Sequence, residues 1–181
     1  MCDTRKTLIQ KIYPDAQLPA YGSSEAVGAD VCAYLTGIRI EDLRIRNGYI
    51  DQGRVLLRPG GRCLVPTGLR IKPADGFEIQ VRSRSGLPLK TGLIVGNSPG
   101  TIDPDYTGPL GIILINTDPE DEVYISHGER IAQLVLTPVH RLTSVTTEVV
   151  TSDTPLKELI STDRGDGGFG STGSDAIASG N

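Results

Sequence analysis

Apolar residues alternate with polar ones in nine short runs along this chain: 7–12, 31–35, 54–57, 64–71, 77–81, 110–115, 122–125, 130–136 and 144–150. Gly, Pro, Asn or Asp bounds each of them, and this alternation with a period of two is the signature of half-buried strands. No segment holds a 3.6-residue period over the length of an ordinary helix. The 22 Gly and 12 Pro are spread along the chain rather than gathered in one block, which supplies the turns that many short strands need. Aromatic residues are only 4% of the chain and Trp is absent, so the core must be built from Ile, Leu and Val, which favour strands. An all-β sandwich or barrel follows, with one or two short helical turns after Ser85 and near 155–160, where Pro155 suits a first-turn position. At 181 residues the chain fits one domain, since single cores usually span about 100 to 200 residues.

The formal charge of -4 argues against binding to a nucleic-acid backbone, which requires a basic face. A small phosphorylated ligand is compatible with it. Cys2, Cys32 and Cys63 are odd in number and widely spaced, which suggests reduced thiols rather than a disulfide framework or a zinc site. His127 and His140 read as loop or strand-end residues. The N-terminus lacks a signal-like apolar stretch and no 18 consecutive apolar residues occur, so a soluble, cytoplasmic protein without a membrane partner is expected.

Two segments stand apart. Between Thr36 and Gly53 the apolar Ile38, Ile40, Leu43 and Ile45 intersperse with charged residues ahead of Asn47-Gly48, a strong two-residue turn signal. This predicts an inserted β-hairpin over about 36–53. From Arg39 to Arg62 six Arg face Glu41, Asp42 and Asp51, a local balance of +3. Such a surface suits either a solvated hairpin or a docking face for a protein partner. From Arg164 onward the composition turns to Gly, Ser and Asp around a lone Phe169. Residues 1–163 are therefore expected to form the β domain and 164–181 a flexible arm; the ring and the Arg suit an arm that closes over a ligand better than a linker.

Four clusters between the strands carry chemistry. In Gly28-Ala29-Asp30 an acid follows a Gly turn; it serves either to cap that turn or to hold Mg²⁺ through the ion's water shell. In Arg82-Ser83-Arg84-Ser85-Gly86, Arg84 offers a planar fork for phosphate, and Ser85 with the first N–H groups of a helix makes an anion site. A Ser N-cap beside solvated arginines accounts for the same residues. The segment from Gly96 to Gly108 contains Asn97, Gly100, Thr101, Ile102, Asp103 and Tyr106. Its open backbone is suited to reading the edge of a pyrimidine, Asp103 is a candidate base for water, and Tyr106 is a flat surface beside a sugar. The bland reading is a surface loop. In Gly128-Glu129-Arg130-Ile131-Ala132-Gln133-Leu134, alternation places Ile131 and Gln133 on one face and Ala132 and Leu134 on the other.

Taken in order, these clusters and the tail Arg164-Gly165-Asp166-Gly167-Gly168-Phe169-Gly170-Ser171-Thr172-Gly173 resemble the five sequential motifs of the trimeric dUTP pyrophosphatase (dUTPase) family. The resemblance begins near Leu18-Pro19, passes through Pro66-Thr67-Gly68-Leu69 and ends at Gly173. It implies a distorted, β-barrel-like jelly-roll, a homotrimer with shared sites, Mg²⁺ as cofactor, and hydrolysis of dUTP to dUMP and pyrophosphate. By position, Asp103 matches the acid that activates water, and Asp30 the acid linked to Mg²⁺ through water. Asn97 and the backbone of Gly100, Thr101 and Ile102 match the uracil reader, while Tyr106 matches the ring beneath deoxyribose. Arg84, Ser85, Gly86 and Gln133 match the triphosphate cradle. In the arm, Arg164 matches a terminal-phosphate contact, Phe169 the ring stacked on uracil, and Gly170, Ser171 and Thr172 its further substrate contacts.

The chain departs from the pattern at Ser83, where Pro often stands. That change is expected to loosen the turn without touching the chemistry. A related fold carries dCTP deaminases, but the Glu on which they rely aligns with Ile113 here, and a hydrocarbon shuttles no proton. A dUTP-responsive regulatory protein that docks a partner on the 36–53 segment is the other alternative.

Overall fold

The computed structural model describes residues 6–141. Contacts group Met1–His140 as one compact unit and Arg141–Asn181 as a second, so the description concerns the first. The strand expected at 144–150, the helical turn at 155–160 and the arm boundary at 163/164 lie outside the described residues. Those described form eleven strands and one short α-helix. They are β1 (Leu8–Lys11), β2 (Ala20–Tyr21), β3 (Ala29–Cys32), β4 (Arg46–Asp51), β5 (Arg54–Lys72), β6 (Phe77–Arg82), α1 (Gly86–Thr91), β7 (Leu93–Val95), β8 (Gly100–Ile102), β9 (Pro109–Asn116), β10 (Val123–Ile125) and β11 (Arg130–Pro138).

Two antiparallel sheets close over a single core. The first runs β1-β5-β9-β7, with β4 and β10 also pairing to β5; the second runs β2-β3-β11-β6-β8. Buried side chains from both sheets meet in it, among them Val55, Leu57, Val65 and Leu114 from the first and Val31, Val81, Ile131 and Leu134 from the second. All are aliphatic, as the poverty in aromatics requires. Cys63 belongs to this core, and burial pushes its thiol up to about 12. It is free, as is Cys32. His127 takes a structural part: its Nδ1 accepts from the Leu35 N–H at 3.1 Å and its ring meets Tyr34 edge-on.

Two expectations change. The runs at 54–57 and 64–71 are one 19-residue strand, β5, which continues through Pro59-Gly60-Gly61. The hairpin turn is not Asn47-Gly48 but Gln52-Gly53, between β4 and β5, with both residues at positive φ (48° and 77°), as a tight two-residue turn demands. Asn47 also has positive φ, but it sits at a register shift in β4, where its side-chain amide donates to the Pro59 carbonyl at 2.8 Å. The dipeptide's tolerance of left-handed backbone is thus used for a bulge. Upstream, Ile40–Leu43 forms a 3-10 turn rather than a strand arm, with Leu43 buried beneath it.

Candidate active site

The second sheet gathers the sequence clusters into one row. Asp30 on β3 lies opposite Gln133 on β11, Gln133 lies opposite Arg82 on β6, and Val81 beside it pairs with Gly100 on β8. Four clusters separated by up to 105 positions therefore lie along one sheet because their strands are neighbours.

Asp30 occupies a half-buried position of β3, whose burial alternates. Its side chain is only 16% exposed and is held from two sides: Arg84 Nε donates to Oδ1 at 2.8 Å and Arg130 Nη1 to Oδ2 at 3.1 Å. Arg84 Nη1 also donates to the Arg130 carbonyl at 3.1 Å. The carboxylate is thereby engaged by two guanidinium groups, and neither a turn-capping Asp nor a solvated Arg84 describes the pair. Ser85 likewise makes no capping bond with its side chain and is itself helical in backbone, so the N-cap reading is removed. Gln133 Nε2 donates to the Ser83 carbonyl at 2.9 Å. Its amide oxygen lies so close over Gly28 that a Cβ there would stand 2.1 Å away, and only glycine leaves that room.

The third cluster forms a cavity of about 190 Å³ lined by Asn97, Gly100, Thr101, Ile102, Asp103 and Tyr106, with Val81 and the 109–113 segment behind them. β8 ends its sheet and pairs only with β6 among the described strands. Its outer backbone edge thus offers N–H and C=O groups to a planar polar ligand. Asp103 is exposed at the strand's end, where its carbonyl accepts from the Tyr106 N–H at 3.1 Å. Tyr106 is pinned by its hydroxyl, which donates to the Pro109 carbonyl at 2.9 Å. A Cβ on Gly108 would meet that hydroxyl oxygen at 2.4 Å and Cζ at 2.6 Å, so glycine there sets the tilt of the ring.

Within one chain the candidate residues form two groups. The cavity contains none of Asp30, Arg84, Ser85 or Gln133; Asp30 borders a different cavity, of about 290 Å³, together with Arg130 and Cys32. Burial pushes the Cys32 thiol up. Arg164, Phe169, Gly170, Ser171 and Thr172 lie outside the described residues.

Sequence reasoning missed Arg130, although an acid entering a sheet calls for a cation, and Arg130 pairs in register with Cys32, two places from Asp30. It also misread Ser83: the Ser83 hydroxyl accepts from the Val95 N–H at 2.9 Å, which ties the turn down rather than loosening it. The alternation assigned to 131–134 holds for Ala132, Gln133 and Leu134 but fails at Ile131, for a local reason. The register shifts between Arg130 and Ala132, and Ile131 and Ala132 are both buried.

No group of three or more His, Cys, Asp or Glu among the described residues is placed to hold a metal ion directly. Asp30 fits a water-mediated role. Two of the roughly four lone-pair sites of a carboxylate are taken by arginines and the others remain for water, the manner of binding that a strongly hydrated Mg²⁺ favours.

The dUTPase family model matches residues 51–173, which takes in the second, third and fourth clusters and the glycine-rich tail. Deoxyuridine 5'-triphosphate nucleotidohydrolase of Syntrophotalea carbinolica is 44% identical over 91% of this chain and 95% of its own length. The protein of the same name from a Hydrogenobaculum species is 45% identical over 93% of this chain and 98% of its own. Among solved structures, the dUTPase of Staphylococcus bacteriophage 80alpha with dUPNHPP superposes with a TM-score of 0.66 at 24% identity, covering 93% of this chain and 98% of that one. The dUTPase of phage phi11 of S. aureus gives 0.59 at 20%, covering 82% and 97%. At those identities the structures speak for the fold, whereas the relatives' identity and coverage speak for descent. With a family model spanning well over half of its residues, the chain belongs to the dUTPase family.

Proposed function

We propose that the chain hydrolyses dUTP to dUMP and pyrophosphate in sites shared between copies of a homotrimer. The observation that carries this reading is the 190 Å³ cavity, which gathers Asn97, Gly100, Thr101, Ile102 and Tyr106 of the third cluster with Asp103. A pyrimidine edge set against β8 meets backbone donors and acceptors, with Asn97 beside it. The pinned Tyr106 ring lies under the sugar and leaves no room for a 2′-hydroxyl. Arg84, Ser85, Gly86 and Gln133 cradle the triphosphate. Because the cavity and the Asp30 group are separate within one chain, a complete site takes one half from each of two copies. Arg164, Phe169, Gly170, Ser171 and Thr172 would add the further substrate contacts that their place in the fifth motif implies.

Asp103 holds a water and takes its proton as the water oxygen bonds to the α-phosphorus. The bond from that phosphorus to the bridging oxygen breaks, and pyrophosphate leaves with the electron pair. Asp30 would hold a Mg²⁺ ion through the ion's water shell, and the ion would supply neutralising charge for the phosphate oxygens. The protein's own contribution is placement, the cationic fork of Arg84, and exclusion of bulk water. For deamination of dCTP the cavity offers no second acid at the relevant place, because Ile113 lines it instead.

Pyrophosphate release with Mg²⁺ from dUTP, dCTP, dTTP and UTP tests the function. Turnover of dUTP alone is expected, and comparable turnover of dCTP or UTP would overturn the assignment. Light scattering should report three copies per particle; a fully active monomer would remove the shared site.

Gly108→Ala gives a narrower test. The new methyl must push the Tyr106 hydroxyl off Pro109 and tilt the ring, so kcat/KM for dUTP should fall about tenfold, the loss of roughly 1.4 kcal/mol of contact. The preference for dUTP over UTP should fall with it. Unchanged discrimination would show that Tyr106 does not police the sugar.

A further inference from the structure

We infer that Ser83, which the reaction itself does not use, is a positioning residue that locks the phosphate-facing turn to the rigid strand feeding the pyrimidine cavity. The inference rests on the dUTP-hydrolysing reading given above. Ser83 lies between Arg82, the last residue of β6, and Arg84, and it is bonded through both of its oxygens. Its hydroxyl accepts from the Val95 N–H at 2.9 Å, and its carbonyl accepts from Gln133 Nε2 at 2.9 Å. The first bond is the more consequential, because its partner is immobile. Val95 is 1% exposed and closes β7, paired with Leu114 of the central strand β9. The chain then continues to Gly96, whose N–H is bonded to the Ile113 carbonyl at 2.8 Å, and to Asn97 in the cavity wall.

A single hydroxyl therefore anchors the turn bearing Arg84 and Ser85 to the buried end of β7. Arg84 is fixed at its far end by Asp30 and by the Arg130 carbonyl, but its backbone follows whatever residue 83 does. Without the hydroxyl, the Val95 N–H loses its partner in a buried strand, and residue 83 keeps the bond that its carbonyl accepts from Gln133. A cradle that drifts still holds a flexible triphosphate, yet it meets the charge developing at the α-phosphorus less well. The cost falls on the transition state more than on binding.

The test is a set of full-length variants assayed with dUTP and Mg²⁺, alongside calorimetric binding of dUMP and thermal unfolding. Ser83→Ala should lower kcat about 10- to 100-fold, the scale of a small misplacement of catalytic groups, with KM changed less than threefold and dUMP affinity within twofold. Ser83→Thr, which keeps the hydroxyl, should restore kcat to within about threefold of the unaltered protein. Ser83→Cys, with its weak sulfur acceptor, should fall between Thr and Ala, and this ordering stands even where the Ala variant folds poorly. Thr7→Ala is the control for lost stability. It removes a hydroxyl that accepts from a backbone N–H, that of Ala74 at 3.2 Å, on strand-flanking residues outside the site, and should leave kcat unaltered. Equal loss in Thr7→Ala, failure of Thr to rescue, or full kcat in Ser83→Ala would overturn the role of Ser83 while leaving the enzyme assignment intact. An unaltered protein that does not turn over dUTP would instead sink the assignment on which the inference rests.

Discussion

Exchanging Asp103 for Asn should leave a folded protein that still binds dUTP but turns it over about 10³-fold more slowly, within the range of roughly 10² to 10⁴ that a positioned base contributes. The exchange is close to isosteric, and the feature that shapes the turn at this point is the Asp103 backbone carbonyl, which accepts from Tyr106. Asn supplies the same carbonyl, so Tyr106 and the cavity wall keep their places. What is lost is a group able to accept the proton of the attacking water. A carboxamide can still orient that water through its oxygen, and the remaining rate comes from orientation and from the phosphate cradle. Binding of a non-hydrolysable dUTP analogue, measured by calorimetry next to kcat, separates the two effects. Affinity within about threefold of the unaltered protein is expected, together with the collapse in turnover. Turnover within tenfold of the original would show that another group activates the water.

The all-β architecture was legible because a period of two leaves little choice of element, and the expected runs within the described residues all fall on strands, although β2, β7 and β8 are too short to show an alternation. What alternation could not reveal was which runs join. β5 runs through Pro59-Gly60-Gly61, a stretch with every mark of a turn, because the Asn47 side chain replaces the ladder bond that the strand would otherwise lack there. The turn moved to Gln52-Gly53 for the same reason: Asn-Gly announces positive φ, but a bulge uses that conformation as readily as a hairpin does. The candidate residues were legible as types in order, and the second sheet sets the strands of Asp30, Gln133 and Gly100 in one row. Their partnerships were not. Arg130 on Asp30 joins residues 100 positions apart, and Ser83 on Val95 ties a turn to a strand 12 positions on. The first follows from sheet order and from one register shift in β11, the second from a turn of one sheet meeting a strand of the other, and neither leaves a mark in local composition.

The Asp30 group also explains why one carboxylate can influence both metal and phosphate. In Asp30→Asn one acceptor oxygen remains, but the amide turns an N–H₂ group towards one of two guanidinium groups that cannot lose their charge. One of Arg84 and Arg130 must therefore withdraw. Arg84 is the better buried, with 25% of its side chain exposed against 58% for Arg130, and its Nη1 also holds the Arg130 carbonyl. Arg130 should be the one released to solvent. The acceptor capacity proposed to order the metal's water shell is halved at the same time. The expected result is a fall in kcat/KM of about 10- to 100-fold, the usual cost of removing an outer-shell partner of a metal, accompanied by a comparable rise in the Mg²⁺ concentration needed for half-maximal rate. Titrating Mg²⁺ at fixed dUTP in both proteins measures this. If the rate falls while the Mg²⁺ dependence stays the same, Asp30 acts on the substrate only through Arg84, and the link to the metal is wrong. If neither changes, the two arginines do not need their carboxylate, and the 2.8 Å and 3.1 Å contacts are packing without consequence for the reaction.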